Sequence, residues 1–214
     1  MFENYNSSVS SMIFHDDAVK RAIIATVDTG MTSNVMLHGS NGVGKSLIAD
    51  LIFKEVVGDN ISTSYCITHG DFSTSSLLSE LNLQLMNGAQ KAVIVINEID
   101  RLTTGKQYDL QQFIDAYCSK NSKCRIVVTS NYENKVINAI SSRCKTLEII
   151  GPVPTQVLRM FTEELASHGV TYTSSIAAKL LSSALNDNCS HLDMRNVEEL
   201  VIETVYSVTG NYVG

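Results

Sequence analysis

At 214 residues, with 44% apolar and 18% charged content, the chain can bury a sizeable core and has an ordinary globular composition. A formal net charge of -6 argues against a protein that coats nucleic acid by bulk attraction, so any such contact must be local or assembled. The five cysteines (Cys66, Cys118, Cys124, Cys144, Cys189) are odd in number and form no C-x-x-C pair, which excludes a legible zinc or disulfide framework and makes a reducing cytoplasm the simpler expectation.

Residues 1–12 are polar and Ser-rich and read as an arm or loop. Asp16 or Asp17 caps a predicted helix that turns Ala18, Val19, Ala22, Ile23 and Val27 inward and closes at Thr29-Gly30. Val35-Met36-Leu37 then suits a buried strand, and Gly39 to Ser46 fits G-x-x-x-x-G-K-[ST], the phosphate-binding P-loop. Gly39, Gly42 and Gly44 let the backbone curl so that its N–H groups face phosphate oxygens. Lys45 is expected to reach the β/γ-phosphates, and Ser46 Oγ to ligate Mg²⁺. The nucleotide contacts expected are therefore Gly39, Ser40, Asn41, Gly42, Val43, Gly44, Lys45, Ser46 and Leu47. Leu47, Ile48, Leu51, Ile52 and Val56 keep helical spacing up to Gly58, so the loop opens a helix whose N-terminal dipole favours an anion.

Further on, Thr63–Thr68 alternates loosely as a strand, and Ser73–Asn87 reads as a helix carrying Leu77, Leu78, Leu81 and Leu85. Continuous apolar runs at Ala92–Ile96 and Arg125–Thr129, with a weaker one at Thr146–Ile150, alternate with a helical pattern over Gln107–Tyr117. Strands of this kind between helices imply an α/β fold with a parallel sheet covered on both faces. After Gly151-Pro152-Val153-Pro154 the pattern changes to helices near 155–167, 174–186 and 193–208 with no strand between, which predicts a boundary near 151 and a small helical lid over 151–214. No apolar run approaches the ~20 residues of a membrane span, and the N-terminus lacks a signal-peptide pattern, so a soluble, untargeted chain is expected.

Hydrolysis needs a carboxylate beside the P-loop. Val93-Ile94-Val95-Ile96 ends in Asn97-Glu98-Ile99-Asp100, where a Walker B motif would lie. Glu98 is available to orient or deprotonate the attacking water. Asn97 stands where Asp usually helps hold Mg²⁺; an amide can bond a metal-bound water but brings no charge, which puts metal affinity and turnover in question. Asn131, after the next strand, is placed to meet the γ-phosphate or the water from the opposite side, although Ser130-Asn131 taken alone is more often a turn. By spacing alone Arg143 and Arg195 read as surface arginines paired with acids. Lys106, near the start of a helix, reads as a solvated lysine more readily than as a DNA contact. No acidic cluster apart from the nucleotide site supports a nuclease.

Together these stretches resemble the AAA+ ATPases, and within them the clamp loaders, with the small ATPase subunit of the T-even phage clamp loaders the nearest look. The resemblance rests on Phe14-His15-Asp16-Asp17-Ala18-Val19-Lys20-Arg21, Gly39–Ser46, Val93–Asp100, Phe113-Ile114-Asp115-Ala116-Tyr117, Val128-Thr129-Ser130-Asn131, Ser142-Arg143-Cys144 and Asp193-Met194-Arg195. It implies a five-stranded P-loop core over 1–150 and a lid over 151–214. It also implies ATP and Mg²⁺ as cofactors, with Ser46 and Asn97 at the metal and Asn131 as sensor 1. Arg143 becomes an arginine finger acting in a neighbour's site, Arg195 the sensor 2 arginine, and Gln107 a link between DNA contact and the catalytic Glu98. The partners implied are further AAA+ subunits in a ring or spiral, a sliding clamp and primer-template DNA, in a phage-infected bacterial cytoplasm. The helical collar usual in clamp loaders is expected to be missing after Val213-Gly214. The alternatives are a nucleotide-switched scaffold with weak hydrolysis, and a helicase loader or replication initiator.

Overall fold

The computed structural model describes residues 2–58, 66–68, 70–185 and 190–210. Among these, β1 (Asn34–His38), β2 (Cys66–Ile67), β3 (Ala92–Ile96), β4 (Cys124–Ser130) and β5 (Cys144–Glu148) form one sheet in the order β2-β3-β4-β1-β5. Every pairing in it is parallel. The helices are α1 (Glu3–Asn6), α2 (Asp17–Asp28), α3 (Lys45–Val57), α4 (Thr74–Met86), α5 (Thr104–Tyr117), α6 (Asn138–Ser141), α7 (Pro154–Ser167), α8 (Ser174–Ser183) and α9 (Met194–Thr209). None of the described helices is long and apolar enough to cross a membrane.

The described residues form two compact units. The sheet unit holds Ala18–Gly39 and Lys45–Ile149; the helical unit holds the chain up to Asp17, the loop segment Ser40–Gly44 and the chain from Ile150 on. In the sheet unit, side chains alternate between faces as strand geometry demands. Met36, Ile94, Ile96, Ile126 and Val128 join Leu77, Leu81, Leu110, Phe113 and Ile114 of α4 and α5 in one core. The intervening Val35, Leu37, Val93, Val95 and Val127 are buried on the other face, and α3 packs against β1, β3 and β4. Burying each such side chain is worth about 1.5–3 kcal/mol, which is why these strands read as unbroken apolar runs. Cys118, Cys124 and Cys144 are free thiols, with Cys118 donating to Cys124 Sγ at 3.4 Å; burial pushes the Cys144 thiol up to about 12.

One polar side chain is built into this packing. Gln84 of α4 is fully buried: its amide N–H₂ donates to Val93 O and to Glu80 Oε1, and its Oε1 accepts from Val93 N, all at 2.8 Å. In a parallel strand both backbone groups of a residue point to one side, so Val93 and Val95 face the β2 side together. Gln84 thus takes both Val93 groups.

The helical unit has its own core of Val157, Met160, Phe161, Leu165, Leu181, Val197, Val201 and Val205, and Phe2 is buried within it. Phe2 N donates to Glu164 Oε2 at 3.0 Å, and Tyr5 OH donates to Glu163 Oε2 at 2.6 Å. Residues 2–12, expected as an arm or loop, therefore pack on the helices, with Val9 and Met12 buried as well. Two isolated apolar residues among serines carry no period, so the sequence offers no signal for this.

Elsewhere the expected elements shift at their edges. β5 begins at Cys144 rather than Thr146 because pairing with β1, from Asn34↔Cys144 to His38↔Glu148, decides its register. As an edge strand it is only partly buried and lacks an apolar run. The helix expected from Gln107 starts at Thr104, with Thr103 Oγ1 accepting from Lys106 N at 3.4 Å. Ala18, expected inward on α2, is exposed, and Thr26 is buried instead with its hydroxyl on Ala22 O. Residues 63–65 of the expected strand, and Cys189, lie outside the described residues.

Replacing Gln84 by Ala orphans two buried backbone groups, each costing about 1–3 kcal/mol. Gln84→Ala is expected to lower unfolding free energy by about 2–4 kcal/mol in a urea titration.

Candidate nucleotide-binding site

In the sheet unit the site is built at one end of the strands. His38 of β1 pairs with Ser130 of β4, and Ile96 of β3 with Val128, so Gly39, Asn97 and Asn131 follow three strands that end at neighbouring levels. This is the C-terminal edge of a parallel sheet at a topological switch, the usual ligand position in open α/β folds. Gly39 opens the loop at φ 152°, and a Cβ there would lie 2.0 Å from Ile149 O, so only glycine fits. Lys45, 7% exposed, starts α3 and donates from Nζ to Gly39 O at 2.9 Å, folding the loop's last turn back on its first residue. Ser46 is exposed and Leu47 half-buried on the same first turn.

A short chain of hydrogen bonds fixes the ends of β3 and β4. Glu98 N donates to Thr129 Oγ1 at 3.0 Å, and Thr129 Oγ1 donates to Asn97 Oδ1 at 2.9 Å. Ser46 Oγ donates to the same Asn97 oxygen at a longer 3.4 Å. Asp100 Oδ1 accepts from Asn131 N at 3.0 Å, which ties the residue after β4 to the turn after β3. Glu98 sits at φ 58°, ψ 48°, a left-handed conformation costly for a side chain with Cβ, and its carboxylate pairs with Arg101 Nη1 at 3.2 Å. Strain of this kind persists only where neighbours over-determine it, here the Thr129 hydroxyl and the turn Ile99–Arg101. Gln107 packs beside the turn after β3. It is buried and bonds Ile99 O, Leu102 O and Lys135 O, while its Oε1 accepts from Ile137 N at 2.8 Å.

The residues suit ATP with Mg²⁺. A buried ammonium beside a glycine loop at a helix N-terminus favours a polyanion. Among the described residues no group of three or more His, Cys, Asp or Glu is placed to hold a metal. Ser46 Oγ and Asn97 Oδ1 supply a small oxygen set, as expected for a cation that keeps waters and takes its remaining ligands from phosphates.

Arg143 lies at the other end of the sheet. It precedes Cys144, which pairs with Asn34 at the start of β1, so the five residues of β1 separate it by about 16 Å from Gly39. Its guanidinium forms a two-pronged pair with Asp115 of α5, Nε to Oδ1 at 2.5 Å and Nη2 to Oδ2 at 3.0 Å, and Nη1 donates to Ala139 O at 2.7 Å. The arginine first, and then the Gln111 amide, hold the Asp115 carboxyl below the usual carboxylate range. The acid partner that spacing alone suggests for Arg143 is thus present.

In the helical unit, Gly42 takes φ 76° and a Cβ on it would fall 1.8 Å from Asp193 Oδ1. Met194 N donates to Gly42 O at 3.0 Å, and Asp193 caps α9 by accepting from Arg195 N at 2.9 Å. The first turn of α9 is thereby pinned to the loop segment Ser40–Gly44, with Val43 buried and Ser40 and Asn41 exposed. Arg195 is exposed on that turn, with no ion pair among the described residues. Thr129, Asp100 and Asp193 lie within the stretches that carry the resemblance, yet the sequence assigns none of them a role in the site. Thr129 left a signal, a polar residue ending an apolar run one strand away from Asn97, whereas Asp193 looks like any helix cap.

Residues 35–152 match the family described as ATPase family associated with various cellular activities (AAA). The chain belongs to that family. It is 25% identical over 186 residues to the replication factor C small subunit of Methanoculleus marisnigri, covering 84% of this chain and 56% of that protein. It is 28% identical over 160 residues to the sliding-clamp-loader large subunit of Enterobacteria phage T4, covering 71% of this chain and 49% of that protein. The phage relative is thus the subunit named large, where the resemblance pointed to the small one. The chain spans about half the length of the curated relatives it matches. Among solved structures, domain III of the Thermotoga maritima replication initiation protein DnaA superposes with a TM-score of 0.68 at 14% identity, covering 99% of this chain and 93% of that one, a likeness of fold alone.

Left-handed backbone costs about 1–2 kcal/mol for a residue with Cβ, partly offset by the extra chain entropy glycine loses. Glu98→Gly is therefore expected to raise unfolding free energy by about 0.5–1 kcal/mol in a denaturant titration while losing the carboxylate.

Proposed function

We propose that this chain is an ATP-driven, clamp-loader-like subunit that assembles with neighbouring AAA subunits to open a sliding clamp and load it on primed DNA during replication. The loop from Gly39 to Leu47 binds ATP, with Lys45 at the β/γ-phosphates and Ser46 and Asn97 toward Mg²⁺. Bound there, Mg²⁺ would neutralise phosphate charge. Glu98 orients the attacking water and accepts its proton, Asn131 bonds the γ-phosphate or the water from the next strand, and Arg195 meets the γ-phosphate from the lid over 151–214. Arg143 completes the site of an adjacent chain.

The observation that carries the reading is the position of Arg143, one strand length from its own loop, with a partly exposed guanidinium of which one edge pairs with Asp115. A guanidinium there is of no use to its own nucleotide and suits one held by a neighbour, where such groups contribute ~10³–10⁵ in rate. The named relatives, clamp-loader and replication factor C subunits, supply the choice of a clamp and DNA as partners. A second reading, a nucleotide-switched scaffold that hydrolyses weakly, is favoured by Asn97, whose amide brings no charge to the metal.

Steady-state ATP hydrolysis across a wide range of protein concentration tests the shared site. Specific activity is expected to rise with concentration, and a mixture of Arg143→Ala and Glu98→Gln chains to recover part of the activity each lacks. Concentration-independent turnover would refute the shared site, and tight ATP binding without turnover would support the scaffold. Asn97→Asp is expected to lower the Mg²⁺ concentration for half-maximal turnover and raise the rate; a Mg²⁺ titration that superposes on the unaltered chain would remove Asn97 from the metal.

A further inference from the structure

Arg143 is held at both ends within its own chain. Its backbone carbonyl accepts from the buried Asn34 Nδ2 at 3.3 Å, and its backbone N–H donates to Ile140 O at 2.9 Å. Its guanidinium has five N–H donors, of which Nε and one on Nη2 go to Asp115 and one on Nη1 goes to Ala139 O. Two donors are left, one on each Nη. Adjacent nitrogens of one plane are the arrangement that bonds two oxygens of a single phosphoryl group. Asp115 is itself steadied from the preceding turn of α5, with Gln111 Nε2 donating to its Oδ2 at 2.5 Å. With the Arg143 side chain 35% exposed, an unrestrained guanidinium would sample many rotamers, and that freedom would be lost at assembly.

We propose that Asp115 is the positioning residue for Arg143, gripping the Nε/Nη2 edge of its guanidinium so that the remaining N–H pair is pre-arranged for the phosphate of a nucleotide held by the next subunit. The inference rests on the reading of Arg143 as a group that works in a neighbour's site. It adds that the acid on α5 is part of the device, not a chance surface partner. A chance surface pair contributes little and its loss leaves function untouched.

The test compares Asp115→Asn, Arg143→Ala and the double variant of the full chain with the unaltered chain, at a concentration where specific activity has reached its plateau. Asp115→Asn keeps the size of the side chain and removes the charge. It is expected to lower kcat roughly tenfold with KM for ATP unchanged, since the chain's own loop still binds ATP. The double variant should be no slower than Arg143→Ala alone. Mixing Asp115→Asn with Lys45→Ala chains, which carry an intact Asp115–Arg143 pair, should restore activity to the sites the former contributes. Sedimentation velocity with Mg²⁺ and a non-hydrolysable ATP analogue gives a readout independent of turnover. There, nucleotide-dependent self-association should weaken for Arg143→Ala and Asp115→Asn alike, with thermal midpoints unchanged. Turnover of Asp115→Asn at or above that of the unaltered chain, while Arg143→Ala is slow, would overturn the inference and leave the shared site standing. A normal rate for Arg143→Ala, or no nucleotide-dependent association of the unaltered chain, would remove the shared site and the inference with it.

Discussion

The position of β1 between β4 and β5 is the constraint on which the rest of the sheet unit depends. Its parallel register with both neighbours fixes what lies at each end of the layer. At the C-terminal end it brings Gly39 level with the residues that follow β3 and β4, so the phosphate loop, Asn97 and Asn131 share one edge. At the N-terminal end the same register sets Arg143 beside Asn34. One strand of five residues thus separates a loop suited to bind phosphate from a guanidinium suited to recognise it. A group so far from its own loop is out of reach of a phosphate held there, and within its own chain it pairs with Asp115.

The edge that holds the loop is organised by hydroxyl and amide groups. Thr129 is almost fully buried, and its single hydroxyl accepts from Glu98 N and donates to Asn97 Oδ1. It thereby supports the left-handed backbone at Glu98 and orients the Asn97 amide at once. Burial makes both bonds costly to lose, so the Glu98 conformation is set by the end of β4 more than by its own residue type. The helical unit offers a parallel device. The start of α9 is stitched to the middle of the glycine loop through Met194 N and Gly42 O, and the space a Cβ would need at Gly42 is filled by the Asp193 carboxylate. Glycine at that position serves close approach as well as loop curvature.

Much of this was legible in the residues themselves. Apolar runs at Val35–Leu37, Ala92–Ile96 and Arg125–Thr129 announce buried parallel strands because both faces of such strands lose water, and helical periodicity marks α3, α4, α7 and α9. The glycine-lysine-serine loop is readable because its chemistry is local: backbone curvature, a helix N-terminus and two side chains within one turn. β5 was read two residues late, since an edge strand is half exposed and its register is chosen by β1. The packing of Phe2 into the helical core was invisible, since the scattered apolar residues Phe2, Val9 and Met12 of a polar stretch mark no continuous face.

Local patterns in the chain set the alternation of strands and helices, the glycine-lysine-serine loop and the carboxylate after β3, all of which depend on neighbours a few positions apart. Folding in three dimensions is what joins Thr129 to Asn97 and Glu98, Gln84 to the backbone of Val93, and Asp115 to Arg143. Each of these pairs residues on different elements, and which donor meets which acceptor follows from strand register and helix rotation, quantities that no local pattern encodes.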